Sequence, residues 1–282
     1  MPISEFLDVL RCPVCAAPFE ADRTALRCAN GHAVDIAKQG YVNLLTGSPA
    51  PGAADTAGMV AARAEFLASG HYAPIADAVA RTAGGRERGV VLDAGAGTGY
   101  YLSRVLDEVP GGRGLALDIS KFAARRAARA HPRIAAAVCD TWRALPVRDR
   151  SVEVVLDVFA PRNGPEFARV LKPDGILVVV TPTARHLAEL AEAVGLLSVD
   201  VRKQERLRRS LAPDLESVHS DEHDVPLSLR TADVERLIRM GPSAWHVDAA
   251  EAARRAAVLG EPFAATASVT VAGYRPRHRQ AG

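Results

Sequence analysis

No apolar run in the sequence approaches the roughly 20 residues that a membrane-spanning helix needs, so a bilayer-spanning helical protein is excluded. The stretch from Met1 to Arg11 lacks both the basic start and the long apolar centre of a secretory signal, and a cytoplasmic location is expected. Cysteine is scarce, with four in 282 residues. In a reducing compartment such thiols are expected to bind metal or stay free, not to pair as disulfides. No internal repeat occurs. Charge of one sign is also missing: 35 basic against 33 acidic residues leave a formal +2, too little for a whole-molecule field that draws in nucleic acid.

What is present suits a globular α/β chain. Apolar residues make up 48% and charged residues 24%, and the length allows one full domain plus a small accessory module. The charges are unevenly spread. Lys121, Arg125, Arg126, Arg129 and Arg133 occur with no acid among them. Arg202, Lys203, Arg206, Arg208 and Arg209 surround Glu205, and the tail holds Arg275, Arg277 and Arg279. Each cluster fits a phosphate-neutralising patch or a solvated face, and taken alone the solvated face is preferred.

Three regions follow from patterning. Residues 1–45 hold three cysteines and two turn-like segments and form a candidate zinc module. Residues 46–84 comprise a small-residue, Pro/Gly-rich linker to about Gly58, then helical spacing over Met59 to Gly70 and Ala73 to Thr82. From residue 85 to 282, short apolar runs (GVVLDAG, GLALDIS, IAAAVCD, SVEVVLDVF, GILVVVTP) alternate with helical stretches, which indicates βαβ units and a mostly parallel sheet. A last strand is expected over Ala267 to Tyr274. Leu196 to Pro262 is ambiguous apart from helices expected at Thr231 to Met240 and Ala249 to Leu259.

Cys12, Cys15, Cys28 and His32 give the spacing C-x₂-C-x₁₂-C-x₃-H. Structural zinc takes four tetrahedral sulfur or nitrogen ligands, usually two from each of two tight turns, and this segment is too small for its own core. The site reads as closed, serving folding and recognition and not catalysis. Cys139 ends an expected strand and reads as a core residue.

Between a strand and a helix, Asp93-Ala94-Gly95-Ala96-Gly97-Thr98-Gly99 forms a G-x-G-x-G loop preceded by an acid. There is no Walker lysine, and the third glycine comes one residue too early for the dinucleotide pattern G-x-G-x-x-G. Asp118 ends the next strand, where a carboxylate can accept ribose hydroxyls, and Asp140 ends the one after, near an adenine amine.

With both parts in place the chain resembles the 23S rRNA guanine-N1 methyltransferases of the RlmA type, closest to the tylosin-resistance subgroup. The resemblance runs end to end, through RCPVC and CANGH, QGYVNLL, ADTAGMVAARAEFLASGHYAPI, DAGAGTGYY, FAPRN, RVLKPDGILVVVTP, HLAEL and GPSAWH. It implies a class I (Rossmann-like) methyltransferase domain with a mostly parallel seven-stranded sheet, S-adenosylmethionine as methyl donor, and Zn²⁺ on Cys12, Cys15, Cys28 and His32. It further implies cofactor contacts at Tyr72, Gly97, Thr98 and His186, besides Asp93, Gly95, Gly99, Asp118 and Asp140. The implied partner is 23S rRNA, methylated by a homodimer at guanine N1 in hairpin 35, at position 748 in the subgroup, with a part in macrolide resistance for some producers.

N1 lies on the Watson–Crick edge and carries a proton, so the base must be unpaired or flipped and the proton must leave. Phe159-Ala160-Pro161-Arg162-Asn163, after the fourth strand, is the expected floor for that base. It stands where enzymes acting on exocyclic amines carry N-P-P-aromatic. Phe159 or Trp245 is expected to stack the base, Asn163 or Arg162 to touch its edge, and Asp157 to accept the proton. Two other functions share the fold: a small-molecule methyltransferase, which has no need of the zinc module, and a non-catalytic zinc-dependent RNA-binding protein, which the intact glycine loop disfavours. The module is expected to act on RNA without affecting cofactor affinity.

Overall fold

A computed structural model describes residues 1–47, 54–85, 88–195, 210–245 and 247–277. The second basic cluster, Arg202 to Arg209, lies outside the described residues, as does Arg279. The chain opens with a 3₁₀ turn (Ile3–Phe6) and three short antiparallel strands, β1 (Phe19–Asp22), β2 (Ala25–Cys28) and β3 (Ala33–Asp35). Then follow β4 (Tyr41–Asn43), α1 (Ala57–Ala68), α2 (Ala73–Ala83), β5 (Arg88–Ala94), α3 (Tyr100–Asp107), β6 (Gly111–Asp118), α4 (Lys121–Ala127) and β7 (Ile134–Val138). The second half holds β8 (Val152–Val158), α5 (Gly164–Val170), β9 (Leu171–Pro182), α6 (Ala188–Val194), β10 (Leu215–Leu229), α7 (Thr231–Met240), α8 (Ala249–Ala257) and β11 (Phe263–Pro276).

The large sheet runs β10-β11-β9-β8-β5-β6-β7-β4. Its seven strands from residue 88 onward are those of a class I methyltransferase sheet, parallel except for β11, which runs antiparallel to both β9 and β10. The eighth strand differs from expectation. Tyr41–Asn43, assigned from the sequence to the zinc module, pairs in parallel with β7 and extends the sheet. The module is therefore stitched to the catalytic sheet by backbone hydrogen bonds.

Packing carries the same message. One face of the sheet buries Val91, Leu156 and Val178 against α2 and α3. The other face buries Leu92, Leu117 and Val155 in one continuous core with Phe6, Leu10, Phe19 and Leu26 of the N-terminal region. Each such side chain contributes about 1.5–3 kcal/mol on leaving water. A segment too short to fold around its own core thus borrows that of the sheet.

The strand β10 was not read from the sequence. Residues LESVHSDEHDVPLSL are mostly exposed and charged, without a clean alternation of apolar residues. Among the described residues they pair with β11 on one side only, so this is an edge strand, where charges and Pro226 deter further pairing. Leu187, just before α6, takes a left-handed conformation (φ 54°), and the helix begins at Ala188.

Candidate metal centre and cofactor cleft

Two knuckles make the metal centre. In the first, Ala16 N–H donates to Cys12 O (2.8 Å) while Ala16 sits at φ 60°. In the second, Gly31 N–H donates to Cys28 O (3.0 Å) with Gly31 at φ 82°. The left-handed residues turn each loop back so that both of its donors face inward. Cys15 and Cys28 Sγ lie 3.7 Å apart, and His32 Nδ1 lies 3.7 Å from Cys12 Sγ and 3.4 Å from Cys28 Sγ. A tetrahedron with zinc–sulfur bonds near 2.3 Å and zinc–nitrogen bonds near 2.05 Å has edges of about 3.8 and 3.6 Å. The donor set fits Zn²⁺ closely, and all four atoms lie within 4.8 Å of one another. The thiols are unpaired, and the Ala17 backbone N–H draws the Cys15 thiol down to about 6, toward the ligating thiolate form.

The chain passes along β5, β6 and β7 on one side of the sheet, then crosses to β8 and β9 on the other. The strand order reverses between β5 and β8, and ligands of open α/β sheets bind outside that switch point. A cleft of about 730 Å³ lies there. Its floor is the glycine loop. Gly95 has φ 85°, and a Cβ on it would fall 2.6 Å from Cβ of Ala160, so only glycine lets the loops after β5 and β8 meet. Gly99 (φ 78°) caps α3 and lies against Ala127 of α4. Gly97, Thr98 and Gly95 line the cleft; Gly99 supports the turn from outside it.

Asp93, Asp118 and Asp140 line the cleft, together with Asp55. Asp93 is buried, and its Oδ2 has no hydrogen-bond partner. Burial, with some help from the Asp118 charge, pushes its pKa up to about 8. A buried acceptor without a partner, facing a cleft, is the signature of a site awaiting a donor such as an ammonium group. Asp118 accepts from Gly97 N–H (2.8 Å) and Ser120 N–H (2.7 Å), which fixes the carboxylate and leaves lone pairs for a diol. Asp140 accepts from Trp142 N–H at 3.0 Å and pairs with Arg143. This donor and acceptor layout fits the amino-acid, ribose and adenine parts of S-adenosylmethionine in turn.

An aromatic wall closes the opposite side. Phe159 stands at φ 54°, 39% exposed, with ring centroids 6.3 Å from Tyr72, 6.4 Å from Tyr101 and 5.7 Å from His186. Tyr72 lines the cleft, whereas His186 does not. His186 instead lies behind it: Nε2 is 3.3 Å from the Tyr72 hydroxyl and Nδ1 is 3.1 Å from Ser268 O. Burial drives its pKa down to about 4, so it is neutral near pH 7 and fixes Tyr72 without adding charge.

Four residues expected to serve the substrate base, Asp157, Asn163, Arg162 and Trp245, stand outside the lining of the cleft. Asp157 does not line the cleft. It is fully buried, neither oxygen has a partner with hydrogen-bond geometry, and burial raises its pKa well above the carboxylate range, only partly offset by Arg162 and the Ala160 backbone. A fully enclosed acid outside the lining does not reach a base held in the cleft. Asn163 also stands outside the lining: its Nδ2 donates to Thr141 O and Arg143 O (3.0 Å each), which ties the loop after β7 to the start of α5. Arg162 is buried beside Asp157, and Trp245 lies on a 3₁₀ turn away from the lining.

Other lining residues were missed. Arg63 pairs with Asp55 and donates to Met240 O (2.8 Å), while Asp55 O accepts from Ser120 Oγ (2.7 Å), so the end of the linker is laced across the cleft. Trp142 is 62% exposed at the rim. A tryptophan two residues beyond a strand-ending acid was a readable signal; Met240 gave none. Most informative are Pro13, inside the first zinc knuckle, and Leu44 to Gly47, which follow β4: all line this cleft.

Comparisons agree with this geometry. Residues 10–47 match the family described as RlmA, N-terminal, and residues 91–175 match the family described as methyltransferase domain. The chain is 51% identical to the 23S rRNA (guanine(748)-N(1))-methyltransferase of Streptomyces fradiae, covering 95% of this chain and 96% of the relative. It is 54% identical, over 96% and 99%, to a Micromonospora griseorubida protein whose name assigns it to 23S rRNA guanine-N1 methylation. Among solved structures, a chain from the Haloferax volcanii complex of the Trm112 methyltransferase activator shares the fold at TM-score 0.50 and 19% identity, over 78% of this chain and 96% of that one. With a zinc-ribbon donor set joined to a methyltransferase cleft and relatives aligned over nearly their whole length, the chain belongs to the RlmA-type 23S rRNA guanine-N1 methyltransferases.

Proposed function

We propose that this protein methylates N1 of a guanine in hairpin 35 of 23S rRNA, at position 748, and thereby contributes to macrolide resistance of the tylosin type. The observation that carries this reading is the shared wall: Pro13 and Leu44 to Gly47 of the zinc-bearing region border the crevice at the switch point. A small-molecule enzyme has no use for a zinc module at the mouth of its cofactor site, whereas a folded RNA target needs a surface that holds it there. The Streptomyces fradiae relative, named for guanine 748, supports the position.

S-adenosylmethionine, when bound, supplies an electrophilic methyl group on a sulfonium. The residues of the chain do the rest. Asp118 and the Gly95–Thr98 backbone orient the donor, and Asp93, once ionised, balances its ammonium charge. Phe159, held out by its left-handed backbone, offers a face on which an unpaired guanine stacks, and Tyr72, braced by His186, closes the site against water. Asp93, Asp118 and the Gly95–Thr98 backbone would hold the donor, whose sulfonium would supply the methyl group to N1 and be left as a neutral thioether, while the proton displaced from N1 would pass to water at the open rim of the cleft beside Trp142. We take the active form to be a homodimer in the cytoplasm; sedimentation and drug-susceptibility measurements test the dimer and the resistance role separately. Primer extension on 23S rRNA treated with protein and donor should stop at the base preceding guanine 748. A full-length product, or a stop elsewhere, rejects the assignment.

A further inference from the structure

We propose that the outer face of α4, with the groove beside it, is a second RNA-binding surface that carries the phosphate backbone of the substrate away from the cleft. This rests on the rRNA reading above. The structure divides the acid-free basic segment into two roles. Arg133 is a brace: its guanidinium donates to the carbonyls of Leu106, Val109, Pro110 and Gly112. Lys121, Arg125, Arg126 and Arg129 are exposed, and no carboxylate of the described residues pairs with them. On α8, by contrast, Arg254 and Arg255 both pair with Glu251. Exposed cations on a helix ordinarily gain from acids three or four positions away; within α4 those positions hold alanine, Phe122 or another cation, and no acid.

Three of these cations rim a groove of about 640 Å³ between α1, α3 and α4. Its floor is apolar, built from Val60, Ala64 and Leu67, and an exposed aromatic, Phe122, stands at its edge with Lys121 Nζ 5.2 Å from the ring centroid. A row of unpaired cations beside an apolar floor and an open aromatic is what tracks single-stranded nucleic acid: cations take phosphates, and the ring stacks a base. Leu67, Thr98 and Tyr100 line both this groove and the cofactor cleft, so the two are contiguous.

The test uses the full chain carrying Arg125→Gln, Arg126→Gln and Arg129→Gln together, and separately Phe122→Ala. Binding is measured against a 23S rRNA transcript spanning the target hairpin and an unrelated single-stranded RNA, over a range of salt. The triple variant is expected to lose on the order of 10–100-fold in RNA affinity at low salt, and its salt slope to fall by about 2–3, since each phosphate contact contributes roughly 0.7–0.9. Phe122→Ala is expected to weaken binding several-fold with the slope unchanged. Affinity for S-adenosylhomocysteine and melting temperature should stay as in the parent. Unchanged RNA affinity and slope in the triple variant overturn the proposal, as does capture of an acidic protein by this face without any effect on RNA. If the parent methylates no 23S transcript while the triple variant still loses the unrelated RNA, the assigned target fails and the groove stands.

Discussion

The metal centre takes its four donors from one stretch of chain, Cys12 to His32, whereas the cofactor cleft draws its lining from Pro13 through Met240. The first is built by two local turns whose geometry the residues themselves dictate. The second exists only once the sheet has formed, because its parts come from the ends of β5, β6, β7 and β8, from the end of the linker and from the zinc-bearing region. The difference predicts how each site fails. Damage at the knuckles should spread into the cleft, since Pro13 and the segment after β4 are shared. Damage within the cleft should leave the zinc in place.

Cys28→Ser is the strongest test of that asymmetry. Structural zinc is linked to folding by apparent free energies of about 10–16 kcal/mol in small zinc peptides. The variant is expected to lose its zinc, measured by metal content, and more than about tenfold in affinity for S-adenosylhomocysteine by calorimetry. Undiminished cofactor affinity would show two independent sites, as the sequence alone suggested. Asp118→Ala should weaken the same titration by about 1–3 kcal/mol, from lost hydrogen bonds to a charged partner, with zinc content unaltered.

Asp93 sharpens the comparison through pH. Its carboxyl is protonated in the folded protein up to about pH 8 but ionised in the unfolded chain above the ordinary aspartate range. The native state therefore binds the extra proton across that window, and its contribution to stability falls as pH rises through it. A cofactor ammonium favours the ionised form. Donor binding at pH 7 is thus expected to release close to one proton, seen as a buffer-dependent calorimetric enthalpy that fades above about pH 9. Buffer-independent enthalpies at pH 7 would remove Asp93 from contact with the ammonium. The smallest effect is expected at Asp157→Asn: an isosteric replacement of an acid enclosed away from the cleft should change kcat by less than about twofold, where loss of a true proton acceptor costs roughly 10²–10⁴-fold.

What the residues disclosed follows the same division. The zinc tetrad was legible in full because spacing within 21 positions encodes it. The glycine loop, Asp118 and Asp140 were legible because the ends of parallel strands converge at one edge of the sheet. Arg63, Met240 and Leu44 to Gly47 were not, since their membership depends on how distant segments pack. Asp157 and Asn163 stand outside the lining for a related reason. Both belong to a stretch that leads into the cleft, but one is enclosed beneath the sheet edge and the other has spent its amide on two carbonyls. The edge strand β10 hid behind its charges, the very feature that protects an edge.

The central claim is that a zinc-walled crevice directs methyl transfer to the Watson–Crick edge of a ribosomal guanine. Nucleoside mass spectrometry of a 23S hairpin transcript, incubated with the zinc-loaded protein and isotopically labelled methyl donor, tests it most directly. The account predicts labelled N1-methylguanosine at one site per transcript. Label on an exocyclic amine, on another base, or only on small molecules would contradict it.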